Sequence, residues 1–262
     1  MLLLDVRDLR NSAHIVMAKI RPALLLTLVA CLSAGCSGRP SAAQGDDSGP
    51  PVRGGTLEVV GRSDVDHLAT TSSVSGAVWW LFGAFARQLL AYPTVPIWGD
   101  WTKLPTAPDL ALLVPTPENG GISANGLLYT FHLRRGVRWN SSPPREVTAH
   151  DVVRGFKLLC NPVWPVLSPQ FYTDTIAGMA RYCEEFRSIS RSVEAIHAFI
   201  NTHDLDGLRA DDDFTVVFRL LTPAADFLNL LALPYASPVP AEYLDYLPDS
   251  PEFREHTLSN GP

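Results

Sequence analysis

Residues 128–159 constrain the fold more than any other stretch of this chain. Tyr129, Phe131 and Leu133 alternate with Leu128, Thr130 and His132, the period of two expected of a strand with one buried face. Arg134-Arg135-Gly136 turns the chain, and Val137-Arg138-Trp139 carries on in extended form. Thr148 suits a helix N-cap, and Asp151 falls in the first turn, where the dipole favours a carboxylate. Val152, Val153, Phe156 and Leu159 then mark an apolar stripe at helical spacing. His132, on a strand face, and Asp151, at a helix start, are read as structural.

The rest of the folded part alternates irregularly between strand and helix patterns. Thr56 to Val60 reads as a strand entered from Gly54-Gly55, and residues 77–90 as a nearly all-apolar helix. Residues 93–126, rich in Pro, Gly and Asn, read as loop with short strands. A helix is expected around 190–200 with Val193, Ile196 and Ile200 inward, a strand over Phe214 to Leu220, and a helix over Asp226 to Leu233. Pro240 is placed to open a last short helix. No internal repeat is evident, and the class is mixed α/β.

The N-terminus points to export. Lys19 and Arg21 precede an apolar run over residues 22–32, too short for a membrane span, and Ser33, Ala34 and Gly35 lead directly to Cys36. Residues 1–35 thus read as a signal peptide. The small residues before Cys36 resemble a lipobox, in which that cysteine is acylated and becomes the mature first residue. Ser33 departs from it, standing where Leu is commonest. An ordinary secretory signal and a membrane anchor are the alternatives. Asp5 and Asp8 sit where positive charge belongs, so the true start is expected at Met17. Residues 36–53 are small, polar and Pro/Gly-rich, and read as a disordered tether that carries the lipid.

Outside the cell, disulfides persist. Cys31 leaves with the signal and Cys36 carries lipid, so Cys160 and Cys183 remain to pair, the alternative being two buried free thiols. A bridge between them is worth roughly 3 kcal/mol on the chain-entropy model. Neither has a further His or Cys at metal-ligand spacing. The formal charge is −6, and losing residues 1–35 removes four basic and two acidic residues, leaving −8. That sign, with no basic cluster, does not fit nucleic-acid binding.

The order of segments resembles that of the extracellular solute-binding proteins that serve peptide and nickel ABC importers, family 5. Gly54-Gly55-Thr56-Leu57 looks like that family's opening strand, Arg87 to Tyr92 like its early helix end, and Ala107-Pro108-Asp109-Leu110-Ala111 like its Pro-x-Leu-Ala segment. The most specific block is Tyr129 to Val137 followed by Thr148-Ala149-His150-Asp151-Val152. Residues 210–223 resemble its later strand. Two local departures are Asn140 to Val147, where the family often has a short Asp-Gly turn, and Asp66-His67-Leu68 in place of its Asp-Pro.

The resemblance covers most of residues 54–262. It implies an α/β fold of the type II periplasmic-binding-protein class, the peptide-binding kind, with only the first lobe region present. Family members run to about twice this length, and Asn260-Gly261-Pro262 looks like their Gly-Pro-Tyr junction cut short. The expectation is therefore a truncated clamp that grips ligand weakly or not at all alone, because ligand sites normally bury most of the ligand.

Implied partners are an oligopeptide or similar solute, the permease subunits of the importer, and the membrane through the lipid; a monomer with no cofactor is expected. By the same resemblance, ligand would lie near Thr70 to Ser75, including Thr71, Ser72 and Ser75, and near Trp79, Trp80, Trp139 and Tyr235. Each of these aromatics has core packing as its competing role. No nucleophile elbow, His-Glu-x-x-His or phosphate loop is present, which speaks against an enzyme. A secreted hydrolase and a surface adhesin or signalling lipoprotein on the same fold stand as alternatives.

Overall fold

The alternation in residues 128–133 becomes the outer strand of a three-stranded antiparallel sheet. The computed structural model describes residues 54, 65, 68–72, 79–93, 105–166 and 168–261. The expected signal peptide, Cys36, the tether, the strand at 56–60 and Ser75 lie outside them. The described residues from Val65 onward belong to one compact unit spanning 59–262.

In chain order the elements are α1 (Trp79–Phe85), β1 (Leu90–Ala91), β2 (Ala107–Pro108), β3 (Leu128–His132), α2 (Ala149–Leu158), α3 (Gln170–Thr173), α4 (Met179–Arg187), α5 (Val193–Thr202), β4 (Leu208–Asp212), β5 (Thr215–Arg219), α6 (Phe227–Leu230) and α7 (Pro251–Glu255). Short 3-10 turns lie at Thr70–Ser72, Pro234–Ala236 and Ala241–Asp245. No helix among the described residues is long and apolar enough to cross a membrane.

The larger sheet runs β3-β5-β4. Tyr129 faces Phe218 and Phe131 faces Val216 across the β3–β5 ladder. These four side chains are buried, while Leu128, Thr130 and His132 point to the more open face, as the period of two requires. The β4–β5 hairpin turns at Asp212, whose carboxylate accepts from the Phe214 N–H at 2.7 Å.

Helix α2 packs its Val152–Phe156 stripe against this sheet. The Phe156 ring meets Tyr172 at 5.3 Å and Phe218 at 5.2 Å, both edge to face. Phe218 in turn touches Phe131 and Phe227, so one aromatic chain runs through the centre of the core. On its other side α2 comes close to the Pro234–Ala236 turn. Gly155 permits that approach: a Cβ there would lie 2.3 Å from the Ser237 carbonyl oxygen.

Cys160, just past α2, is bonded to Cys183 on α4, with Cα atoms 5.1 Å apart and both residues buried. The bridge joins α2 to α4. The face of α4 turned inward carries Met179, Tyr182, Cys183 and Phe186. Tyr182 and Phe186 pack on Phe199 of α5.

Several boundaries differ from the sequence expectation. Among the described residues of the apolar run, 79–90, the helix covers Trp79–Phe85, and Leu90–Ala91 pairs instead with Ala107–Pro108. The Asp109 carboxylate explains the break, because it holds Arg87 Nε at 2.7 Å and the Gln88 N–H at 3.0 Å. The expected helix at 226–233 shortens to Phe227–Leu230. Pro240 caps a 3-10 turn rather than opening the last helix. That helix begins at Pro251, with the Ser250 hydroxyl accepting from the Phe253 N–H.

Candidate ligand-facing cleft

Placement of the site begins at the start of α2. Thr148 is the N-cap, and Asp151 three residues on accepts the Thr148 N–H at 3.1 Å, one half of a capping box. The same carboxylate is 2% exposed and accepts four more hydrogen bonds. Arg145 supplies two, at 2.8 and 3.1 Å, Arg154 one at 2.6 Å, and the Trp139 indole one at 3.0 Å. Burial pushes the Asp151 carboxyl up, but the hydrogen bonds from Arg145 and Trp139 and the charges of Arg145 and Arg154 outweigh it. The net result lies below the usual carboxylate range.

Arg145 extends the network. Its guanidinium also meets Glu242 at 2.8 and 3.0 Å, and these bonds hold the Glu242 carboxyl low. Arg154 donates to the Val239 carbonyl, and the Val239 N–H returns to the Asp151 carbonyl. Residues 239–242 are thereby tied to the helix start.

This network fixes the bank of an open cleft of about 460 Å³, lined by Arg87, residues 136–140 and Ser259 to Gly261. Residues 137–139 pair on one edge with 145–147, through Trp139 N–H to the Arg145 carbonyl and Val147 N–H to the Val137 carbonyl. By the alternation of an antiparallel ladder, the Arg138 N–H and carbonyl point the other way, toward the cleft. Neither has a hydrogen-bond partner among the described residues. The facing bank is anchored by Asn140 N–H to the Ser259 carbonyl, Ser259 N–H to Asn140 Oδ1, and Arg87 N–H to Asn260 Oδ1. Asn260 is buried, and its Nδ2, itself shielded from solvent, has no hydrogen-bond partner among the described residues. The cleft therefore offers a main-chain donor and acceptor along the Arg138 edge. An extended main chain has the matching groups.

The residues singled out from sequence fall into two places. Thr71 and Ser72 lie buried in the Thr70–Ser72 turn, which packs against the turn that holds Tyr235. Helix α1, which carries Trp79 and Trp80, approaches the same turn; the side chains of these two tryptophans lie outside the described residues. The cavity beside Thr70 and Thr71 holds about 20 Å³, room for about one water. Trp139 stands apart, packed with Leu110 and Val147, and lines the open cleft. His132 sits on the open sheet face beside the Thr215 hydroxyl, and Asp151 is a structural hub.

Arg87, Arg138, Asn140 and Asn260 were not foreseen as cleft residues. No local pattern could mark them, because the Asn140–Ser259 contact joins residues 119 apart. Among the described residues, no group of three or more His, Cys, Asp or Glu could hold a metal ion.

The profile described as "Bacterial extracellular solute-binding proteins, family 5 Middle" matches residues 108–262. A Pseudomonas aeruginosa protein named di/tripeptide-binding protein 2 is 34% identical over 148 residues, which are 54% of this chain and 24% of that protein. The Escherichia coli dipeptide-binding protein is 32% identical over 135 residues, 49% of this chain and 21% of that one. Among solved structures, clavulanic acid biosynthesis oligopeptide binding protein 2 superposes with a TM-score of 0.61 at 29% identity. It covers 80% of this chain and 33% of its own. The chain thus spans about a quarter of the curated relatives' length. Its mixed α/β fold is that of periplasmic peptide-binding proteins, over a part of their length. With more than half of its residues matched by the profile, the chain belongs to the bacterial extracellular solute-binding proteins of family 5.

Proposed function

We propose that these residues form the first lobe region of a substrate-binding lipoprotein that captures peptides outside the cell and delivers them to the permease of an ABC importer. One observation carries the peptide reading: the relatives at 34% and 32% identity are named for di/tripeptide and dipeptide binding. The cleft agrees with it, since the open edge at Arg138 suits a main chain. Residues 1–35 act as the export signal, with translation from Met17, and residues 36–53 as a tether from acylated Cys36. Thr71, Ser72, Ser75, Trp79, Trp80, Trp139 and Tyr235 remain the proposed ligand-side residues, and Trp139 lines the open cleft.

Peptides retained by the native protein give the test. Protein purified from its own membranes should release di- to oligopeptides on denaturation, identified by mass spectrometry. Release of a sugar or a nickel chelate in place of peptides rejects the ligand class. The 262-residue chain by itself should bind weakly, because one lobe cannot bury most of a ligand. Micromolar binding by it rejects a shared grip. Esterase and peptidase assays on the same sample separate this reading from a secreted hydrolase.

The anchor has its own measurement. Cys36→Ser should move the protein from the membrane fraction to the soluble extracytoplasmic fraction and abolish labelling by radioactive palmitate. Unchanged labelling of the variant rules out Cys36 as the lipid site.

A further inference from the structure

The chain contains three Asn-Gly pairs, Asn119-Gly120, Asn125-Gly126 and Asn260-Gly261. At such a pair the glycine nitrogen can attack the asparagine Cγ, because no Cβ shields it. The nitrogen gives its proton to solvent, ammonia leaves Cγ, and a succinimide closes. Water then opens the ring to aspartate or isoaspartate, and no oxidant or reductant enters.

The structure distinguishes the three. Each attacking nitrogen is engaged: Gly120 N–H with the Pro117 carbonyl, Gly126 N–H with the Ser123 carbonyl, and Gly261 N–H with Ser259 Oγ. The difference lies in the carboxamides. Asn119 is held at three points, since Oδ1 accepts from Thr116 N–H and Gly121 N–H and Nδ2 donates to the Val114 carbonyl. Its leaving nitrogen is therefore fixed. Asn260 is 2% exposed, and its Oδ1 is bound to Arg87 N–H, so water reaches it poorly.

Asn125 differs from both. It is exposed, and Nδ2 has no partner among the described residues. Its Oδ1 accepts from the Ser123 hydroxyl at 2.7 Å and from the Leu127 N–H at 3.2 Å. Two donors on that oxygen stabilise the charge that grows there as Cγ becomes tetrahedral. The leaving nitrogen stays in water, where it can take up a proton.

We propose that Asn125 is the residue at which the folded protein modifies itself, converting to aspartate and isoaspartate. The change adds a negative charge, and in the isoaspartyl product one methylene enters the main chain. Two residues on, the Leu127 carbonyl receives the Leu220 N–H at 2.8 Å, so the insertion bears on the start of the β3–β5 pairing.

Peptide mapping of the folded protein after incubation at mildly alkaline pH reads the three sites separately. Asn125 should gain the deamidation mass about tenfold faster than Asn119 or Asn260, the equivalent of one extra hydrogen bond on the leaving group. In denaturant the three rates should converge. Asn125→Gln should remove the modified species and leave the other two sites unchanged. Equal or faster conversion at Asn119 or Asn260 in the folded protein overturns the proposal. So does a lead at Asn125 that persists undiminished in denaturant, because the sequence and not the fold would then select it.

Discussion

Asp151→Ala is expected to destabilise the protein by about 3–5 kcal/mol, the usual cost of removing one partner from a buried charge pair. The carboxylate it deletes collects hydrogen bonds from Thr148, Trp139, Arg145 and Arg154. Without it, Arg145 keeps Glu242, but Arg154, whose side chain is largely buried, keeps only the Val239 carbonyl among the described residues. The helix also loses its first-turn acceptor. Chemical unfolding near neutral pH measures the effect; a loss under about 1 kcal/mol, the range of an exposed pair, would refute the hub.

The pH dependence follows from the sign of the shift. The folded carboxyl titrates below its ordinary value of 3.8. Its contribution is therefore complete above that value and fades as pH falls through the lowered folded value. The gap between wild type and Asp151→Ala should stay constant down to about pH 4 and narrow only below it. A gap that closes between pH 7 and 5 contradicts the assignment.

Phe156→Ala should cost about 3–5 kcal/mol for a different reason, the loss of a buried ring and the cavity left behind. Phe156 is fully buried and wedged edge to face between Tyr172 and Phe218, so sheet, α2 and α3 all close on it. The surroundings cannot collapse into the gap without moving the disulfide-tied end of α2. Denaturant midpoints should fall with the slope unchanged. Leu113→Ala, at a side chain 65% exposed, should stay within about 0.5 kcal/mol and serves as the comparison. Similar costs for the two would mean that the aromatic chain is not the centre of the core.

Both sites were partly legible in the sequence. The Thr148–Asp151 spacing marked a helix start, and the Val152–Phe156 spacing marked its buried face; the structure has both. What spacing could not show was that the same carboxylate would also gather Trp139, Arg145 and Arg154. Residues 170–187 carried no secondary-structure expectation, only the pairing of Cys183 with Cys160. Yet Met179, Tyr182, Cys183 and Phe186 stand at i, i+3, i+4 and i+7, a helical stripe present in the chain for α4. Helix α1 failed the other way, because its apolar run promised more helix than formed. Asp109 takes the Gln88 N–H, and β2 takes Leu90–Ala91.

By itself the sequence determined the faces and the family. Side chains alternate along a strand whatever its partner, so Tyr129 had to share a face with Phe131, and Val216 with Phe218; both pairs are buried. The cap and stripe of α2 are equally local, and residues 108–262 carry the family pattern. Only the tertiary structure decided where α1 stops, which residues meet at Asp151, and which form the cleft. Those outcomes rest on partners such as Arg87 with Asn260, 173 residues apart, and Arg145 with Glu242, 97 apart. A periodic pattern records which way a side chain faces; it holds no record of what the folded chain will bring to meet it.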